Sequence, residues 1–220
     1  VTVAKATWIT DFSAFRYVFL QQVHGRFFDH GVVIDLGGNR GYFASYALLN
    51  GAAAVYSFEP SSGNYASLQR SRAMCDASRY LWKCQRCAVS DRDGEVDLHL
   101  SENSWHHSIY EPASQGTDMT ERVPMRSFSS ILNEVRAAHP EAEIAVEMTI
   151  EGAEADVILG TSVERWREVS SLMFATDLPL ETVSQLVGHL RRGGLERTEL
   201  TDVGTARRVD HPWVLVTRTQ

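Results

Sequence analysis

The sequence predicts an α/β fold built on a mainly parallel sheet, with helices on both faces and an antiparallel last strand. Short apolar runs rich in β-branched residues alternate with helix-patterned segments over most of the chain. A glycine-dense turn, Asp35-Leu-Gly37-Gly38-Asn39-Arg40-Gly41, follows the first run. A last pair of strand-like segments closes the chain without a helix between them. Strand–helix alternation of this kind places helices over a parallel sheet. At 220 residues and 44% hydrophobic, the chain suits one domain with a sizeable core.

Residues 1–30 read as a lead-in whose Phe12, Phe15, Tyr17, Val18 and Phe19 can pack on the core, and residues 31–220 as the main domain. Val32–Leu36 is an apolar β-branched run and reads as a buried strand. Tyr42–Leu49 reads as a helix stopped by Asn50-Gly51. Ala53–Phe58 is a second buried strand. Asn64–Ala73 is helical, with Tyr65, Leu68 and Met74 near one side, and Tyr80–Val89 reads as a third strand. Asp91–Gly94 is a turn and Val96–Leu100 a strand. Residues 101–120 show no period and read as one long loop, of the kind that often carries function. Phe128–Ala138 is a helix ended by His139-Pro140, Ile144–Ile150 a strand, and Ala153–Leu159 a short helix. Ser170–Ala175 is a strand, and Leu178–Arg192 is amphipathic, with Val183, Leu186, Val187 and Leu190 at helical spacing. Leu195–Leu200 and Trp213–Thr217 are the last strands.

The turn after the first strand sits where open α/β sheets bind ligands. A dinucleotide fingerprint wants G-x-G-x-x-G; here Gly37 and Gly41 are four apart, with no glycine at the third place. Asp35 precedes Gly37 by two and would repel a pyrophosphate, whereas it suits a cationic ligand such as S-adenosylmethionine. Glu59 ends the second strand, where an acid can accept both ribose hydroxyls, although NAD sites use an acid there too.

Three stretches in order resemble the FkbM-type methyltransferases, a branch of the class I S-adenosylmethionine-dependent enzymes. They are "VIDLGGNRGYFASYALLNGAAAVYSFEP", "CAVSDRDGEVDLHL" and "EMTIEGAEADVILG", and the resemblance spans roughly residues 30–200. It implies a seven-stranded class I sheet, S-adenosylmethionine as cofactor and S-adenosylhomocysteine as product. It also implies, most often, O-methylation of a sugar or natural-product hydroxyl. Asp35, Gly37, Gly41, Glu59 and the adjoining Pro60 are then expected at the cofactor, with backbone from Gly38 and Asn39. Ala88, Val89 or Ser90 are expected beside the adenine.

The chain departs from the family pattern in places. Where the signature reads Lys-x-Asp-x-Glu-Gly-x-Glu, this chain has Glu147, Thr149, Glu151, Gly152 and Glu154; upstream, Phe128-Ser129 replaces Leu-Asp. Thr149 and Ser129 leave a metal requirement open. A lone buried Glu147 is costly, so Arg40 or another nearby arginine is expected to compensate it.

A hydroxyl acceptor usually needs a base. His106 and His107 in the long loop titrate near neutral pH and are candidates, with Glu151 and Glu154 near the fourth-strand end as alternatives. Glu154 reads as a helix N-terminal charge. Asp177 is expected to cap the next helix, and His211 to lie near the surface. Trp105, Tyr110 and Trp82 can line an acceptor pocket or fill packing space.

A net charge of −7 with no basic block argues against a nucleic-acid partner. No apolar run approaches the ~20 residues of a membrane helix, and no signal peptide is visible. Three cysteines, Cys75, Cys84 and Cys87, fit a reducing compartment, so a cytoplasmic location is expected. Cys84 and Cys87 lack a second pair with zinc spacing, and no metal site is assigned. The reading is a methyltransferase acting on a small molecule, with homodimerisation possible. Its rivals are an NAD-linked oxidoreductase and a binding protein with a degenerate methyltransferase site.

Overall fold

The computed structural model describes residues 12–22, 24–25, 27–28, 30–101, 105–110, 116–175, 178–201 and 213–219. Asp177 and His211 lie outside them. The strands are β1 (Val32–Leu36), β2 (Ala54–Phe58), β3 (Leu81–Gln85), β4 (Ala88–Ser90), β5 (Gly94–Ser101), β6 (Gly116–Ser127), β7 (Ile144–Met148), β8 (Ser171–Ala175), β9 (Arg197–Thr201) and β10 (Trp213–Thr217). The helices are α1 (Tyr42–Leu49), α2 (Ser62–Met74), α3 (Phe128–Ala138), α4 (Glu154–Gly160), α5 (Val163–Trp166) and α6 (Leu180–Arg192). A π-helical turn, Arg16–Leu20, lies in the lead-in.

Seven strands form the main sheet in the order β3-β2-β1-β7-β8-β10-β9. Every pairing is parallel except those of β10, which runs antiparallel to β8 and β9. The strand order reverses beside β1, the usual place for a ligand crevice in such sheets. The central strands β1, β2 and β7 are buried along their whole length, as a sheet covered on both faces requires.

Alternation along each strand divides the core in two. Val32, Ile34 and Leu36 face α3, α4 and α6, packing with Phe128, Ile131, Ile158, Trp166 and Leu186. Val33, Val55 and Ala145 face α1 and α2, packing with Phe43, Ala47, Leu68 and Trp82. From the lead-in, Val18 and Phe28 join this second layer. Phe12 and Phe15, expected to pack likewise, remain 55% and 43% exposed.

Other expectations change. The segment expected as one strand, 80–89, splits: β3 stays on the main sheet, while β4 joins a small sheet ordered β4-β6-β5. The strand breaks at Arg86, whose Nε–H donates to Pro60 O, and the backbone beyond it pairs with β6. The expected loop 101–120 already contains β6, which pairs antiparallel with β5 across an irregularity between His99 and Ser101. β6 is polar and contains Pro124, which hid its strand character; only Val123 and Met125 are buried hydrophobics at strand spacing. Met74, placed with the packed side of its helix, is 82% exposed. The short α5 was not expected; it buries Trp166. Among the described residues, no helix is long and apolar enough to cross a membrane.

Candidate functional site

Four strand ends are tied together by backbone hydrogen bonds. Gly37 and Gly38 N–H donate to Phe58 O at 2.9 and 3.0 Å, joining the turn after β1 to the end of β2. Thr149 N–H donates to Leu36 O at 2.9 Å, joining β1 to the end of β7. Glu59 N–H reaches Gln85 O at 3.2 Å. A cleft opens above these ends, with Gly37, Asn39, Glu59 and Pro60 on its floor. Ala88, Val89, Leu98 and Ile109 line an apolar side; Trp105, His107 and Glu151 line the mouth.

The glycines serve close approach. Gly37 has φ +91°, and a Cβ there would lie 2.0 Å from Thr149 O, so the β1 and β7 ends could not meet. Gly41 has φ +85° and starts α1; a Cβ there would lie 2.7 Å from the Trp82 ring. Asn39 is also left-handed, at φ 46°.

Glu59 is 4% exposed yet reaches the cleft. Its carboxylate accepts from Asn39 N–H at 2.8 Å and Ser61 N–H at 2.9 Å. Burial pushes its pKa up to about 7, against the pull of these N–H groups. The Asn64 side chain bonds to it as well, and since a carboxylate offers about four acceptor sites, capacity remains for a ligand hydroxyl.

Asp35 does not line the cleft. It is 1% exposed, on the α1–α2 face of the sheet, where it accepts from Ser57 Oγ–H at 2.6 Å. Ser57 Oγ in turn accepts from Trp82 Nε1–H at 2.9 Å. Trp82 is therefore a buried donor beneath the turn, not an acceptor-pocket wall. On the other side, the β1–β7 register sets Asp35 opposite Glu147. Glu147 is 2% exposed.

Among the described residues, no arginine pairs with Glu147; the basic side chain beside it is His24, with Nε2 3.6 Å from Oε1. His24 is fully enclosed, packed between the rings of Phe43 and Trp213, and burial lowers its pKa to about 3. It is a neutral neighbour at physiological pH and supplies no charge in place of the expected arginine. Burial raises Glu147 to about 8, and burial together with Glu147 raises Asp35 well above its usual range.

The turn after β7 brings together the candidate base residues. Glu151 has a left-handed φ of 53°, and its carbonyl accepts from Ser108 Oγ–H at 2.7 Å. Its carboxylate lies 3.4 Å from His106 Nδ1. His107 Nδ1 accepts from Ser101 N–H at 3.0 Å. That bond leaves the neutral ring with its proton on Nε2, as a donor rather than a base. Burial lowers its pKa, so the neutral form dominates. Glu154 accepts from Ile150 N–H at 3.2 Å and Gly152 N–H at 2.9 Å, and so holds the turn. Tyr110 donates to Asp156 outside the cleft, whereas Trp105 lines the cleft and meets Tyr17 of the lead-in, ring centroids 6.3 Å apart.

Of the remaining expected residues, Ser90 is buried with its hydroxyl on Asp91, and Gly38 packs over Ser57 and Asp35. Leu98, Ile109 and Asn64 were missed. Leu98 and Ile109 reach the cleft only because the small sheet folds over it, and Asn64 because α2 starts directly after Glu59. Cys87 is buried and Cys84 partly buried, with burial pushing both thiols up to about 12. Among the described residues, no group of three or more His, Cys, Asp or Glu side chains is arranged to hold a metal.

No curated protein matches the chain. Among solved structures, a Pyrococcus horikoshii protein described as an RNA methyltransferase is similar at TM-score 0.50 and 11% identity, covering 94% of this chain and 85% of its own. Aeropyrum pernix fibrillarin with natively bound S-adenosyl-L-methionine is similar at TM-score 0.47 and 11% identity, covering 87% and 68%. The Geobacter metallireducens precorrin-6y C5,15-methyltransferase is similar at TM-score 0.47 and 10% identity, covering 93% and 87%. Residues 35–179 match the methyltransferase FkbM domain, a span that holds the glycine turn, Glu59, the small sheet and the β7 turn, so the chain belongs to this family of S-adenosylmethionine-dependent methyltransferases.

Proposed function

We propose that this protein transfers a methyl group from S-adenosylmethionine to a hydroxyl of a small molecule such as a sugar or natural product. The observation that carries it is a Glu59-floored cleft with Glu151 at its mouth, the Glu151 carboxylate lying 3.4 Å from His106 Nδ1. When bound, the cofactor supplies an electrophilic methyl on a positively charged sulfur. Asn39 and the Gly37-Gly38 turn shape the floor, Glu59 accepts from ribose hydroxyls, and Ala88, Val89, Leu98 and Ile109 offer an apolar wall to the adenine.

The chain's part in the reaction is positioning and proton removal. Glu151, backed by His106, accepts the hydroxyl proton of the acceptor. His107 donates from Nε2 to an oxygen of the acceptor and orients it. The net charge of −7 favours a small acceptor over a polyanion. A nicotinamide dinucleotide would bring its pyrophosphate to the glycine turn, directly above the acidic Asp35–Glu147 pair, which disfavours that rival.

Thermal unfolding with S-adenosylhomocysteine, and in parallel with NAD, tests the cofactor. A ligand at ~100 times its dissociation constant adds about 2.7 kcal/mol, so the first should shift the transition and the second should not. A shift with NAD alone reverses the assignment. A shift with neither supports a degenerate site. Acceptor screening with a labelled methyl donor follows, and loss of transfer in Glu151→Gln supports its role.

A further inference from the structure

We propose that Asp35 and Glu147 form a proton-sharing carboxyl pair, and that this pair positions the cofactor turn from beneath. The inference rests on the reading of the cleft as a cofactor site.

The two residues are register partners on adjacent central strands and lie on the same face of the sheet. Both are sealed from solvent, at 1% and 2% exposure. Two buried carboxylates side by side cannot both ionise without a cation to balance them. Among the described residues, the groups packed around them supply none. On β2, Ser57 Oγ–H donates to Asp35, itself held by Trp82 from β3. Cys84 of β3 carries a thiol whose pKa is pushed up to about 12. Beyond β7, Thr149 bonds to Glu147, and on β8 the register partner is Met173. From the lead-in comes His24, kept neutral among Phe43 and Trp213. The remaining ionisable neighbours are acids, Glu59 and Glu154. One proton held between the two carboxyls satisfies the pair without a cation, and coupled sites of this kind titrate as a unit.

The link to function is Gly38. A Cβ at this position would lie 3.2 Å from Asp35 Oδ2 and 3.0 Å from Ser57 Cβ, so the turn rests directly on the Asp35 carboxyl. The same turn is tied to Phe58 O. Moving Asp35 therefore moves the floor on which Glu59 and Asn39 meet. Glu147 acts through Asp35 and is a positioning residue.

Glutamine is close in shape to glutamic acid and can donate to or accept from Asp35, whereas leucine can do neither. Wild-type binding of S-adenosylhomocysteine at pH 7 is measured first. With Glu147→Gln, affinity should stay within about threefold of wild type; with Glu147→Leu it should fall about tenfold or more, as for loss of one buried hydrogen bond to a charged group. The infrared difference between wild type and Glu147→Gln should show a protonated carboxylic-acid band at neutral pH that only the wild type has. If the glutamine variant binds as poorly as the leucine variant, a carboxylate is required and the proposal fails. It also fails if leucine is harmless, or if the acid band is absent. Should Glu147→Leu not fold, the glutamine variant and the spectrum still decide. Absence of wild-type binding would instead refute the cofactor reading, leaving the spectrum as the test of the pair.

Discussion

Gly37→Ala, set against Gly194→Ala, isolates what the cofactor turn demands of its first glycine. The two positions have nearly the same backbone, φ +91° and +88°. Both substitutions incur left-handed strain of roughly 1–2 kcal/mol. They differ in surroundings: a Cβ at Gly194 has nothing within 4 Å, whereas one at Gly37 lies 2.0 Å from Thr149 O. Relief requires the β1 and β7 ends to part by about an ångström or more, since ordinary contacts lie beyond ~3.4 Å. That movement strains or breaks the 2.9 Å bond from Thr149 N–H to Leu36 O. Overpacking costs about 1–3 kcal/mol and the bond about 1 kcal/mol more. Gly37→Ala should thus lose about 2–4 kcal/mol beyond Gly194→Ala, a large share of an ordinary folding free energy of about 5–15 kcal/mol. Urea denaturation of both variants at pH 7 measures the difference, and S-adenosylhomocysteine affinity should fall only for Gly37→Ala. Equal destabilisation of the two would refute the close-approach account of this turn.

Other outcomes follow from the same geometry. The folded chain retains the Glu147 proton between the ordinary carboxylate pKa of 4.5 and about 8, where the unfolded chain has released it. Its stabilising share is therefore full below pH 4.5 and is lost as pH rises through about 8, at about 1.4 kcal/mol per pH unit for one proton. Denaturation between pH 5 and 8.5 should show a shallower decline in Glu147→Gln, and parallel curves would count against it. Ser57→Ala strands the Trp82 indole N–H and removes a donor from Asp35, and should cost about 1–3 kcal/mol with a change in tryptophan emission. Glu59→Leu leaves the N–H groups of Asn39 and Ser61 without their acceptor, and should weaken S-adenosylhomocysteine binding about tenfold or more by calorimetry. Nitrogen-15 spectra of His107 at pH 7 should report the Nε2–H tautomer; a proton on Nδ1 would contradict the Ser101 contact.

Much of the scaffold was legible in the chain. β1, β2 and β7 are continuous apolar runs because both their faces are covered, and such runs announce buried strands. α6 was legible because its burial follows one face, at Val183, Leu186, Val187 and Leu190. The glycine turn was visible because left-handed backbone and close approach demand glycine in fixed places. β6 was not visible: one of its faces looks outward, its sequence is polar, and its partner β5 supplies the reason it is a strand.

The sequence by itself determined the alternating fold, the glycine turn and the acid that ends β2, since each follows from local periodicity or backbone conformation. Only the tertiary structure decided which acid faces the cleft and which lies beneath it. Asp35 and Glu59 both belong to the turn's neighbourhood, yet Asp35 points to the α1–α2 face while Glu59 opens into the cleft. Pairing decided the state of Glu147 as well. Strand register put it against Asp35 rather than an arginine, and two carboxyls meeting in a sealed layer must share a proton. Such contacts join positions 112 residues apart, from 35 to 147, a separation that no local pattern encodes.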